Sequence, residues 1–131
     1  MLGMFADQAV FFLWLLGVST TLFFAIPLFA VPLRWARLMQ WTIPEHTDLA
    51  VYFGRCVGAF VLVVECFIFR AASSGEWLEA TFQLLLLVFA AMLVVHVMGA
   101  VLRIQPLTET LEIGLWLLLL VAATLCYPVA A

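Results

Sequence analysis

The sequence predicts an all-α integral membrane protein: four transmembrane helices in an antiparallel bundle, with a short interfacial helix between the first two. Two observations carry this. The chain has 131 residues, 68% of them hydrophobic and only 10% charged, whereas soluble domains carry roughly 45–50% apolar and 25% charged residues. Five arginines and eight carboxylates are too few to cover so much apolar surface, so lipid must solvate much of it. The apolar residues are also gathered into four runs, at about residues 9–31, 49–69, 77–102 and 113–130. At 1.5 Å per residue each run approaches the roughly 30 Å of a hydrocarbon core.

Helices are favoured over strands because a β-barrel needs alternating polarity in runs of about ten residues, and these runs do not alternate. The whole chain reads as one four-helix membrane domain. The first run does not read as a signal peptide, since it has no basic n-region and is long, with Asp7 before it and Arg34 and Arg37 after it.

Each boundary has its own signal. Thr47 and Asp48 stand where a cap for the second helix belongs, and Ser73 with Glu76 has the spacing of a capping box before the third. Pro106 and Thr108 precede the fourth helix, with Glu109 and Glu112 in a first turn that favours anions. Residues 33–44 place Arg34, Arg37 and Gln40 on one face, with Trp35, Leu38, Met39 and Ile43 mostly elsewhere, as in a helix lying in the headgroup layer. Trp35, Trp41 and Tyr52 mark one membrane interface, and Trp77 and Tyr127 the other.

Arginine sets the orientation. Arg34, Arg37 and Arg103, with Arg55 near them, fall on the side of the first and third loops, against Arg70 alone on the other side. The positive-inside rule then puts those loops in the cytoplasm and both termini outside. The complete absence of lysine and asparagine reads as the compositional bias of a GC-rich bacterial source, and hence a bacterial cytoplasmic (inner) membrane.

Ionisable groups within membrane helices are costly and therefore candidates for function. Arg55 and His96 lie about two turns in from the cytoplasmic side, with His46 in the loop outside. Together they form a candidate ligand-binding pocket with Arg103, Glu109 and Glu112 at the rim. Glu65 lies nearer the outer side, at the depth of Gln83, and is a candidate for proton coupling. Each has a plainer role: Arg55 snorkelling to headgroups, His96 bonding a neighbouring helix, Glu65 protonated and bonded to Gln83 or a carbonyl. No catalytic residue is assigned, because no nucleophile with its base, phosphate loop or metal cluster is legible. Enzyme status is left open, leaning towards none.

No cofactor is assigned. Two histidines near one face raise a b-type haem as an option, set back by His46 lying in a loop beside Pro44. Cys56, Cys66 and Cys126 have no zinc spacing and read as apolar filler, with a Cys66–Cys126 disulfide a geometric option. Nucleic acid is excluded as a partner for want of a basic stripe.

Small residues at i, i+4 and i+8 (Gly17, Thr21, Ala25 and Ala50, Gly54, Gly58) mark surfaces where helices approach closely, within one chain or between chains. The Arg55-to-Glu65 interval resembles the arginine-to-glutamate interval in the second helix of the glutathione and eicosanoid membrane enzymes, which share this length and orientation. The asparagine their motif needs between the two is absent, and no membership follows. An essential first-helix glutamate, as in small multidrug transporters, is also missing, and the likeness to DoxX-like proteins stops at size and helix number.

The sequence thus points to a non-catalytic subunit or stabilising partner of a larger membrane complex. The expected partners are membrane lipids and either other transmembrane subunits or its own copies. The alternative is an oligomeric protein that binds a lipid, a quinone-like molecule or an anion in a cytoplasmic-side pocket, with an enzyme or a transporter as options. A proton-coupled carrier built on Glu65 is a third option.

Overall fold

The computed structural model describes residues 2–129. Four helices are long and apolar enough to cross a membrane: α1 (Ala6–Ala30), α3 (Asp48–Ser74), α4 (Leu78–Leu102) and α5 (Leu107–Leu125). A short helix, α2 (Pro32–Leu38), follows α1. No strand occurs among the described residues.

The helix ends differ from the ends of the apolar runs, because hydropathy marks what faces lipid while caps and breakers mark where the backbone stops. Pro106, in an extended conformation, starts α5 at Leu107, six residues before the apolar run at Ile113. Glu109 and Glu112 therefore sit on the helix proper. Helix α3 runs on to Ser74 and ends at Gly75, whose φ of 73° places it in the left-handed region. The expected capping box does not form, since Ser73 and Ser74 belong to the last turn of α3. Glu76 instead pairs with Arg70 at 2.6 Å and donates its N–H to the Ser74 hydroxyl. The interfacial helix expected over 33–44 is only the seven residues of α2, closed off by Gln40 at φ 65°. Within α1, residues Thr21–Ala25 form a π-helical turn just before Pro27. A proline cannot donate its backbone bond and crowds the carbonyl four residues back, and a widened turn accommodates both effects.

Two helix pairs make up the fold. Helix α1 packs along α3, and α4 along α5. Between α1 and α3 glycines of both rows allow close approach within one chain, each facing a larger residue of the other segment and not the other row. A Cβ on Gly58 would lie 2.6 Å from the Phe29 amide nitrogen, one on Gly54 2.7 Å from Pro32, and one on Gly17 2.9 Å from Ile68. The two pairs join in a core of Ala9, Leu13 and Leu16 from α1, Ile68, Ala71 and Ala72 from α3, Phe82, Leu85 and Phe89 from α4, and Ala123 from α5. At that end Gly3 and Phe5 donate N–H bonds to the Thr124 and Leu125 carbonyls, satisfying groups the α5 terminus would leave open. At the other end the Thr108 hydroxyl donates to the Met39 carbonyl, tying the loop after α2 to the start of α5. All three cysteines are free.

Substituting Gly58 by alanine forces a methyl against backbone and is expected to cost about 1–3 kcal/mol. Gly114→Ala meets nothing within 4 Å and is expected to be neutral or stabilising by up to about 1 kcal/mol. Thermal unfolding of both variants in detergent, side by side, checks this; equal effects would show that α1 and α3 are not in backbone contact.

Candidate functional site

Helix geometry brings a polar cluster together between α4 and α5. Residues 109, 112 and 116 recur at i, i+3 and i+7, so Glu109, Glu112 and Trp116 share one face of α5. His96, near the end of α4, points at that face and is 4% exposed. Its Nε2 lies 3.1 Å from a Glu109 oxygen, 3.3 Å from a Glu112 oxygen and 3.3 Å from the Trp116 indole nitrogen. The Nδ1 is 2.7 Å from the Met92 carbonyl. A carbonyl only accepts, so Nδ1 carries a proton there and Nε2 faces the carboxylates.

Surrounding groups hold these three in place. The Trp41 indole donates to the other Glu109 oxygen at 2.7 Å. Gln105 donates to the His96 backbone carbonyl at 3.0 Å and to the Thr110 hydroxyl at 3.2 Å. Gly99 makes room for this, because a Cβ there would lie 1.9 Å from the Gln105 side-chain oxygen. The His96 ring also packs against Trp116 with centroids 5.6 Å apart, and Trp116 against Phe89. The result is a buried imidazole and two partly buried carboxylates, oriented by hydrogen bonds and closed on one side by the loop after α2.

The pocket expected from sequence thus takes a different form. Glu109 and Glu112, expected at the rim, are at the centre with His96. Arg55 and His46 are exposed, and no hydrogen bond or ion pair among the described residues joins either to His96. Arg103 is exposed at the end of α4, with φ 54° in the left-handed region. The two histidines behind the b-type haem option stand in different surroundings, His96 buried between α4 and α5 and His46 exposed in the loop before α3. The signal for the cluster was present as E-x-x-E-x-x-x-W on one face of the fourth helix, but spacing within a helix does not say that this face meets His96.

Glu65 occupies a separate place. It is 4% exposed between α3 and α1, and the Thr20 hydroxyl, which also bonds the Leu16 carbonyl, donates to it. Its second oxygen and the Thr21 hydroxyl are buried without a partner. The bond expected to Gln83 is absent, because Gln83 donates instead to Tyr127 and Glu79.

Gly99→Ala is expected to expel the Gln105 side chain and lose its bond to the His96 carbonyl, at a cost on the order of 1 kcal/mol. Unfolding of Gly99→Ala, Gln105→Ala and the double variant tests this. The double variant should be no less stable than Gly99→Ala, whereas simple additivity would show that the two residues are uncoupled. Comparison with protein-family models, with curated proteins and with solved structures gives no match to this chain, so its function is read from the geometry of this cluster.

Proposed function

We propose that the chain is an integral membrane protein that binds a cationic ligand at the His96–Glu109–Glu112 cluster. The carrying observation is the convergence of two carboxylates on one imidazole with no arginine paired to either carboxylate among the described residues. Such a site attracts positive charge and repels anions, so the ligand's sign is the reverse of what Arg55 and His46 suggested. An apolar hollow between α1, α3 and the 41–44 segment would suit a lipid or quinone-like ligand. Its volume of about 210 Å³ falls below the roughly 300–1,000 Å³ of sites for drug-sized molecules.

In this reading the four long helices span a bacterial cytoplasmic membrane, with the loops after α1 and α4 inside and both termini outside. The distribution of arginine supports that orientation. Fusions at the C-terminus check it: a periplasmic alkaline phosphatase reporter should be active and a cytoplasmic fluorescent reporter dark, and the reverse pattern would invert the topology.

A second reading is a non-catalytic subunit or stabilising partner of other transmembrane chains. It is favoured by α5, where Leu107, Leu111, Leu115 and Leu118 form an exposed stripe on the side away from Glu109 and Glu112. Extraction in mild detergent followed by native mass spectrometry separates the two. A co-purifying chain or second copy supports the subunit reading, and a lone monomer removes it.

Ligand sign is tested by thermal unfolding of the purified chain in detergent with monovalent, divalent and organic cations, and with inorganic phosphate and a short-chain quinone. A cation present at a hundred times its Kd should stabilise the fold by about 2.7 kcal/mol, and Glu109→Gln with Glu112→Gln should remove the effect. Stabilisation by phosphate or quinone that Arg55→Ala abolishes would overturn the cationic reading.

A further inference from the structure

Three polar features sit outside the apolar core: the buried Glu65 with Thr20 at the π-helical turn, the exposed Gln83–Glu79–Tyr127 group near the chain ends, and the buried His96 cluster. Only the last gathers several strong donors around one point.

From its geometry we infer that His96, Glu109 and Glu112 form a binding site for one first-row divalent transition-metal ion, of the kind represented by Zn²⁺, Co²⁺, Mn²⁺ or Fe²⁺. This deepens the cationic reading above and rests on it. Three observations lead here.

The first is spacing. One ligand atom from each residue lies within 4.8 Å of the other two. Metal bonds of about 2.1 Å at tetrahedral to octahedral angles put neighbouring donors about 3.0–3.4 Å apart. The His96 nitrogen stands 3.1 and 3.3 Å from the two carboxylate oxygens, so two of the three donor separations already have the length a small ion requires.

The second is orientation. A metal-binding histidine characteristically donates its other ring N–H to a carbonyl or carboxylate, which fixes the ring and its tautomer. Here Nδ1 donates to the Met92 carbonyl at 2.7 Å. The Trp41 indole likewise holds the Glu109 oxygen that does not face His96. The outer shell of a metal site is in place around the inner one.

The third is charge. Two carboxylates with a protonated imidazole leave a net charge of −1 in a poorly solvated place, with no arginine paired to it among the described residues. Two carboxylates with a neutral imidazole and a divalent ion sum to zero, and a buried site favours the neutral set. The donor types select the metal class. An imidazole beside carboxylates suits borderline ions better than Ca²⁺, and the lack of thiolate or thioether ligands disfavours Cu⁺. The Glu109 and Glu112 side chains keep 12% and 19% of their surface exposed against 5% for His96, which gives the ion a way in and leaves a coordination position open on that side.

The test uses the full chain in detergent, stripped with a chelator and titrated with Co²⁺ and Zn²⁺. One equivalent of Co²⁺ should produce visible ligand-field bands, and Zn²⁺ should displace it. His96→Ala, Glu109→Gln and Glu112→Gln should each weaken binding at least about a hundredfold, while His46→Ala, on the exposed loop histidine, should leave it unchanged. Binding unaffected by His96→Ala overturns the inference, as does binding lost in His46→Ala. Pulsed electron paramagnetic resonance of the wild-type chain loaded with Cu²⁺ gives a check that needs no variant: one coupled imidazole nitrogen is expected, and none or two would exclude the site. Stabilisation by an organic or monovalent cation that requires both glutamates, without any Co²⁺ bands, would discard the metal and keep the cationic reading. Indifference to every cation would discard both.

Discussion

The contact that the rest of the arrangement depends on is the backbone approach of α1 to α3 at Gly58. Lipid tails are as apolar as leucine, so helices surrounded by them gain little by hiding apolar side chains from one another, and close packing has to supply the attraction. With no side chain at 58 or 54, the end of α1 can lie on α3, and Pro32 with α2 follows directly. The short α2 then delivers Met39 and Trp41 to the start of α5, where the Met39 carbonyl receives the Thr108 hydroxyl and the Trp41 indole reaches Glu109. A missing methyl on α3 is in this way connected to the orientation of a carboxylate on α5, a helix that packs mainly against α4.

The same economy governs the polar groups. In an apolar solvent every donor and acceptor needs an internal partner, and the chain meets this demand at the helix ends with very few residues. Gly3 and Phe5 supply the end of α5, the Ser74 hydroxyl takes the Glu76 N–H, and Gln105 folds back over the gap at Gly99 to reach the His96 carbonyl. Against this background the two buried acidic features are different in kind. Glu65 meets a single threonine hydroxyl and leaves one oxygen unpartnered, whereas the His96 cluster has its donors aimed at a common centre and its outer atoms already bonded. On the proposed reading, this convergence, held on three sides, is a site arranged to receive something.

How much of this could be read from sequence follows from what kind of pattern each feature leaves. The four long helices were legible because a bilayer imposes a length and a polarity that composition alone reveals. The small-residue rows were legible too, though not their pairing, because spacing within one helix does not say which neighbour it meets. The polar cluster was legible only in part. His96 was singled out by its cost in an apolar run, but Arg55 and His46 were grouped with it by depth alone, and depth says nothing about which way a side chain points around the helix. Glu109 and Glu112 were placed in the first turn of the fourth helix yet at the rim, because the spacing of 109, 112 and 116 defines one helix face without saying that this face meets His96.

Helix α5 then emerges as a two-sided element, and its two sides account for its poor burial. Its inward face carries Glu109, Glu112 and Trp116 at one end, where the carboxylates meet His96 and Trp116 packs on Phe89, and the buried Ala123 towards the other, where it joins the apolar core. The outward face carries the leucine stripe, suited to lipid or to another helix. Helix α5 is held along its length by packing against α4, and at its two ends by the N-terminal strap at Thr124 and Leu125 and the α2 loop at Thr108. On the proposed cationic reading, a positive charge in the His96 cluster would draw the start of α5 towards α4, and its loss would leave two carboxylates beside an imidazole nitrogen that accepts from the Trp116 indole. Occupancy of the site and the seating of this end of α5 would then be coupled, and a partner docked on the leucine stripe would sense both.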